Sequence, residues 1–130
     1  MARRASTQPT QVELQILRVL WRLGPSTVRQ AHVALSSHRD TGYSTTLKMM
    51  QVMTAKGLLR KDDSRKPQVY QPAMSEEQAQ TSLVDDLVLR AFDGAADKLV
   101  LRAVASRRIS TGELSEIRKL LRKLENGGRR

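Results

Sequence analysis

Few residues in this sequence could make or break bonds. There is no cysteine, which excludes disulfides, thiolate metal sites and thiol nucleophiles, and only two histidines occur. His32 reads as a surface or boundary residue on a short helix beside Arg29, and His38 as loop. Asp85 and Asp86 are adjacent on a helix and so point about 100° apart, the wrong geometry for a shared acid–base site. Met49, Met50 and Met53 recur at helical spacing and read as core filler rather than a soft-metal box. No enzyme activity, metal or cofactor is expected. What remains is cationic chemistry. Ser44, Thr45, Lys48 and Gln51 fall on one helical face, and Arg60, Lys61, Arg65 and Lys66 flank a turn. Short polar side chains beside a lysine can reach base edges, while guanidinium and ammonium groups hold phosphates.

The charge balance agrees with that chemistry. The 130 residues carry 23 Lys and Arg against 13 Asp and Glu, a net charge of +10 that calls for a polyanionic partner. Residues 1–72 hold 12 basic and 4 acidic residues, and residues 73–130 hold 11 and 9, so the nets are +8 and +2. A polyanion should therefore dock on the first part. The sequence is 39% hydrophobic, enough for a core. It has neither an apolar run long enough for a membrane span nor the apolar segment of a signal peptide in Met1 to Gln8. A soluble, cytoplasmic chain is expected.

Local signals define the elements that hold those cations. Thr10 with Glu13 is a capping box opening a first helix, which Gly24-Pro25 stops after Leu23. Gln11, Gln15, Arg18 and Arg22 form its polar strip; Leu14, Ile16, Leu17, Leu20, Trp21 and Leu23 cover most of the rest, so this helix is central. Thr27 to Gln30 repeats the cap pattern, and Val28, Ala31 and Leu35 share a stripe ending near Ser36-Ser37. Ser44 is an N-cap candidate for a third helix reaching Ala55, closed by Lys56-Gly57. Its inner face carries Leu47, Met50 and Met53; Thr45, Lys48, Gln51 and Val52 point away. Tyr43 stands at its entry, set to touch a DNA backbone or wedge the loop. Two short strands, Leu58 to Lys61 and Gln68 to Gln71, flank the basic tip Asp62 to Pro67, whose two aspartates partly offset its cations. Helix, helix, helix, hairpin is the plan of a winged helix-turn-helix.

The fold class expected is thus mostly α with a small β-hairpin wing: a DNA-binding domain over 1–72, then a helical domain over 73–130. In the second part, Ser75 with Gln78 opens a helix to about Phe92, a fifth runs from about Ala95 to Ser106, and Ser110 with Glu113 opens a sixth. Leu114, Ile117, Leu121 and Leu124 follow the 3-4-3 spacing of a packing seam. With Leu83, Val84, Leu87, Val88, Leu99, Val100 and Val104 they are more apolar surface than so short a segment encloses alone, so a homodimer is expected. Met1 to Gln8 and Asn126 to Arg130 read as frayed basic ends. The alternative is a winged-helix protein-interaction module that joins an assembly through these apolar helices.

Leu20-Trp21, Tyr43-Ser44-Thr45-Thr46-Leu47, Lys56-Gly57-Leu58-Leu59 and Val69-Tyr70 together resemble the penicillinase repressor family, the BlaI and MecI type. The resemblance continues through Lys98-Leu99-Val100-Leu101 and Ile109-Ser110-Thr111-Gly112-Glu113-Leu114, spanning roughly residues 9–125. It implies a bacterial homodimeric repressor of resistance or stress genes and of its own gene, with a winged helix on inverted-repeat operator DNA, often with TACA/TGTA-like half-sites. On this sequence it implies a recognition helix from Ser44 to Ala55, Thr46 included in the contact set, and a wing around Asp62 to Pro67. Copper-responsive relatives bear a C-terminal cysteine cluster that is missing here. The β-lactam-responsive members are cut by a sensor protease at an Asn-Phe bond in the fifth helix, and the matching pair here is Arg102-Ala103. Release by that cut or by another signal is expected.

Overall fold

A computed structural model describes residues 8–37 and 40–127. The basic ends read at 1–7 and 128–130, and His38, lie outside the described residues. The elements in order are α1 (Gln11–Leu23), α2 (Val28–Ser36), α3 (Tyr43–Ala55), β1 (Leu59–Asp62), β2 (Val69–Pro72), α4 (Glu76–Ala91), α5 (Ala96–Ser106) and α6 (Thr111–Gly127). Gln8 is not frayed: its Nε2 donates to Ser82 Oγ at 2.9 Å. Nor does α6 stop short of Asn126.

Capping boxes start four of the helices. Thr10 Oγ1 accepts the Glu13 N–H and Glu13 Oε1 accepts the Thr10 N–H; Thr27 with Gln30, Ser75 with Gln78 and Ser110 with Glu113 do the same. Each satisfies two N–H groups the helix cannot, and a cap of this kind is worth about 1 kcal/mol. α5, with Ala95 as its N-cap, has no side-chain cap, and neither has α3. Gly42 in extended conformation is its N-cap, Thr46 N–H donates to Gly42 O at 3.1 Å, and no side chain caps it. Ser44 is therefore inside the first turn rather than at the cap, which leaves its side chain on the helix surface. At the other end Gly57, at φ +87°, lets Leu58 N–H reach Met53 O (2.8 Å) and Gly57 N–H reach Thr54 O (3.1 Å). That is a Schellman closure, and its paired apolar residues Met53 and Leu58 both enter the core.

The core of the first unit collects Ile16, Leu17, Val19 and Leu20 of α1, Val28, Ala31 and Leu35 of α2, Met50 and Met53 of α3, and Leu58, Leu59 and Tyr70 around the hairpin. Leu23 departs from expectation and is half exposed. Trp21 is only partly buried, with its Nε1 donating to Met74 O at 3.0 Å.

The hairpin is antiparallel and begins one residue later on each strand than the hydrophobic pattern predicts, pairing Leu59 with Pro72 and Asp62 with Val69. Ser26, from the α1–α2 loop, exchanges both backbone hydrogen bonds with Tyr70 at 2.8 and 3.0 Å. This anchors the wing base to the helices.

The chain divides into two compact units between Asp85 and Asp86, inside α4. The opening turns of α4 belong to the first, where Ala79 is buried. In the second, α5 and α6 bury no residue. Val100, Leu101, Leu120, Leu121 and Leu124 are all about half exposed or more.

Candidate nucleic-acid interface

α3 presents two chemically distinct sides. Met50, Met53 and Thr46 are sealed in the core, while Ser44, Thr45, Lys48, Gln51 and Val52 are exposed along one face. Thr46 thus departs from the contact set implied by the resemblance. Its side chain is fully buried, shares a 3.0 Å hydrogen bond with His32 Nδ1 of α2, and donates toward Gly42 O at 3.4 Å. It fixes where α3 starts and how it lies on α2, and cannot touch a groove.

Tyr43 heads α3 at the surface and is wedged against two side chains of α2. Its ring stands edge-on to His32, with centroids 5.7 Å apart, and the Arg29 guanidinium lies 4.9 Å from the ring centroid. The residue as a whole stays about two-fifths exposed, at 39%. His32 is accordingly a boundary residue, with α2 on one side and the α3 entry on the other.

Arg60, Lys61, Arg65 and Lys66 are all exposed on the wing. The tip is ordered by its own acids. Asp62 accepts from the Ser64 hydroxyl and backbone N–H, and those bonds, with Arg65 nearby, hold its carboxyl below the usual range. Asp63 lies 3.5 Å from Lys61 Nζ and accepts from Gln68 Nε2 at 2.9 Å. Lys61 is therefore partly neutralised, leaving Arg60, Arg65 and Lys66 as the freer cations.

A second anchor of α3 was not visible in the sequence. Lys56 Nζ reaches both Glu13 carboxylate oxygens at 2.9 Å, and Glu13 is 6% exposed. Burial works against the charged carboxylate, yet the Thr10 N–H and the Lys56 ammonium outweigh it and hold Glu13 below its ordinary value. Glu13 is legible as a capping residue; its distant partner has no local signature.

Of the residues expected at a subunit contact, Val84, Leu87, Val100, Leu121 and Leu124 are exposed, while Leu83, Val88, Leu99, Val104, Leu114 and Ile117 are half-buried. Leu89, Leu101 and Leu120 join the exposed set without having been expected. Arg102 and Ala103 are exposed inside α5. Among the described residues no group of three His, Asp or Glu could hold a metal ion, and no helix is long and apolar enough to cross a membrane.

Three helices, a basic hairpin wing and a polar, cationic outer face on the third helix define a winged-helix protein of the DNA-binding class. The sequence matches the penicillinase repressor family over residues 9–123, nearly its whole length, and the chain belongs to that family. It is also similar to the transcriptional regulator BlaI of Mycobacterium tuberculosis, in strains CDC 1551 / Oshkosh and ATCC 25618 / H37Rv. Identity to each is 29% over 117 residues, 89% of this chain and 84% of the relative. The protein is a transcriptional repressor and not an enzyme.

Proposed function

We propose that this repressor binds an inverted-repeat operator as a homodimer, one winged helix per half-site, and blocks transcription by occupying the promoter. The observation that carries it is the division of α3: Ser44, Thr45, Lys48 and Gln51 exposed in one file, with Thr46, Met50 and Met53 locked on the reverse. Such a helix has the width of the major groove and donors for its edges. Arg60, Arg65 and Lys66, with Lys61 in a lesser part, hold the flanking phosphates.

The exposed apolar residues of α4, α5 and α6 support pairing with a second copy, since a symmetric dimer covers them and matches a two-fold operator in one step. DNA binding then belongs to residues 1–72 and dimerisation to 73–130. The site of action is the cytoplasm, where the DNA is. Resistance or stress genes and its own gene are the proposed targets. Release follows when dimerisation is lost, by a sensor protease, membrane-bound as in the β-lactam-responsive relatives, that cuts at Arg102-Ala103, or by another signal.

Footprinting on the DNA flanking its own gene tests the core of this reading. A protected, roughly two-fold symmetric segment is expected. Equal affinity for that DNA and for random duplex would favour the assembly-module alternative.

A further inference from the structure

Between α2, the first turns of α3 and the base of the wing lies a cleft of about 350 Å³, lined by Arg29, Gln30, Tyr43, Leu47, Gln68 and Tyr70 among others. It sits between two elements assigned to DNA. If α3 occupies a major groove and the wing reaches past its rim, the strand forming that rim has to cross the surface between them. This cleft is that surface.

Arg29 is suited to meet the strand. It is exposed, and among the described residues no carboxylate pairs with it, unlike Lys61 beside Asp63. Its guanidinium is 4.9 Å from the Tyr43 ring centroid, and Tyr43 is itself braced edge-on by His32. Attraction to a ring face uses none of the N–H donors of the cation, and it limits the freedom lost when those donors engage phosphate oxygens. Gln30 spends its side-chain carbonyl on the Thr27 N–H at 2.9 Å, which leaves its Nε2 as a second donor on the same wall. Of the wing acids, Asp63 is turned to Gln68 Nε2 and Lys61 and Asp62 to Ser64.

We propose that this cleft seats the sugar-phosphate strand between the α3 groove and the wing, with Arg29, stacked on Tyr43, as its phosphate anchor. The proposal rests on the operator-binding reading above and adds a contact outside α3 and the wing.

The test uses the full-length protein and a mixed-sequence duplex long enough for two half-sites, with affinity followed across salt concentration. A homodimer on both half-sites loses two contacts, so Arg29→Ala and Arg29→Gln should each lower the magnitude of the log–log salt slope by roughly 1.8, making the loss relative to the unsubstituted protein about sixtyfold larger at 0.1 M than at 1 M salt. Arg29→Lys should keep the slope. Tyr43→Ala combined with Arg29→Ala should bind no more weakly than Arg29→Ala alone, because the ring acts through the cation. An unchanged slope in Arg29→Ala overturns the proposal, and a lower melting temperature with that unchanged slope makes Arg29 a structural pin only. If Lys48→Ala and Lys66→Ala reduce the slope while Arg29→Ala does not, the DNA-binding reading stands without this contact. Absence of any salt-dependent duplex binding by the unmodified protein removes both.

Discussion

Lys56, the residue that closes α3, holds both carboxylate oxygens of Glu13 at 2.9 Å across 43 positions of sequence. One carboxylate thereby caps α1 and ties the far end of α3 to it. Glu13→Gln removes the charge and should cost about 1 to 2 kcal/mol, less than a fully buried pair because Lys56 is about one-third exposed. Burial opposes ionisation, but Thr10 N–H and Lys56 win, so the folded carboxyl titrates below its unfolded value. The contribution is then complete above the ordinary carboxylate range and lost as pH falls through the folded value. Urea melts should show the gap between the unsubstituted protein and Glu13→Gln closing as pH is lowered from neutral through and below the ordinary carboxylate range. A constant gap contradicts this.

Base reading and phosphate holding separate by mutation. Thr45→Ala or Lys48→Ala should cost about 1 to 3 kcal/mol on the operator and less on random duplex, since a lost base contact discriminates. Arg65→Ala or Lys66→Ala should weaken both alike and lower the salt slope by roughly 0.9 per contact. Equal losses on the two DNAs for Lys48→Ala reassign Lys48 to a phosphate.

Thr46 acts from beneath the interface. Thr46→Val keeps the shape and removes the hydrogen bond to His32, leaving a half-buried ring nitrogen without it. We expect about 1 to 2 kcal/mol lost from stability, with operator preference over random DNA preserved. Thr46→Ser should restore most of the loss in thermal melts. A specificity change at full stability contradicts a positioning role.

What could be read locally was read from the sequence, and what depends on distant partners was not. The boxes at Thr10, Thr27, Ser75 and Ser110 each join residues three apart, so spacing alone reveals them. Each strand begins one residue later than the pattern suggests, and the Tyr70–Ser26 bridge that holds the second strand comes from another part of the chain, where local spacing gives no sign of it. Ser44 resembles a cap by type, yet Gly42 supplies the extended entry and no side chain is needed. Thr46 is polar and adjacent to Thr45, but it stands four and seven residues before Met50 and Met53, a helical spacing that puts it on their face and could have removed it from the contact set. The Lys56–Glu13 and Arg29–Tyr43 pairs each bridge separate helices, beyond the reach of periodicity.

The apolar seam of α6 makes a direct test of self-association. Leu121 is half exposed in the single chain, and covering the remaining half of such a side chain contributes about 0.8 to 1.5 kcal/mol per subunit. Leu121→Asp should convert a dimer into monomer at about tens of micromolar in sedimentation, with operator affinity falling and the folding of the first unit unchanged. A monomeric unsubstituted protein at that concentration contradicts the dimer.

The proposed release from DNA by scission turns on the fifth helix. In α5 the bond between Arg102 and Ala103 is exposed, but it lies inside helical backbone, and a protease must open several residues to bind it. Opening costs little where no residue of the helix is buried, as in the single chain; it costs more if a second chain covers Leu99, Val100 and Val104. Dimerisation should therefore protect this bond by mass action. An enzyme selecting Asn-Phe finds Arg102-Ala103 instead, so a protease of different specificity is required, while trypsin, which cuts after Arg, reports the opening directly. Brief digestion over a dilution series, with fragments identified by mass, should show the fragment ending at Arg102 forming faster as the protein is diluted. In Leu121→Asp the rate should be high at every concentration. Cleavage that ignores dilution in the unsubstituted protein contradicts the protection of α5 by a partner and leaves scission at this bond without a reason to release the operator.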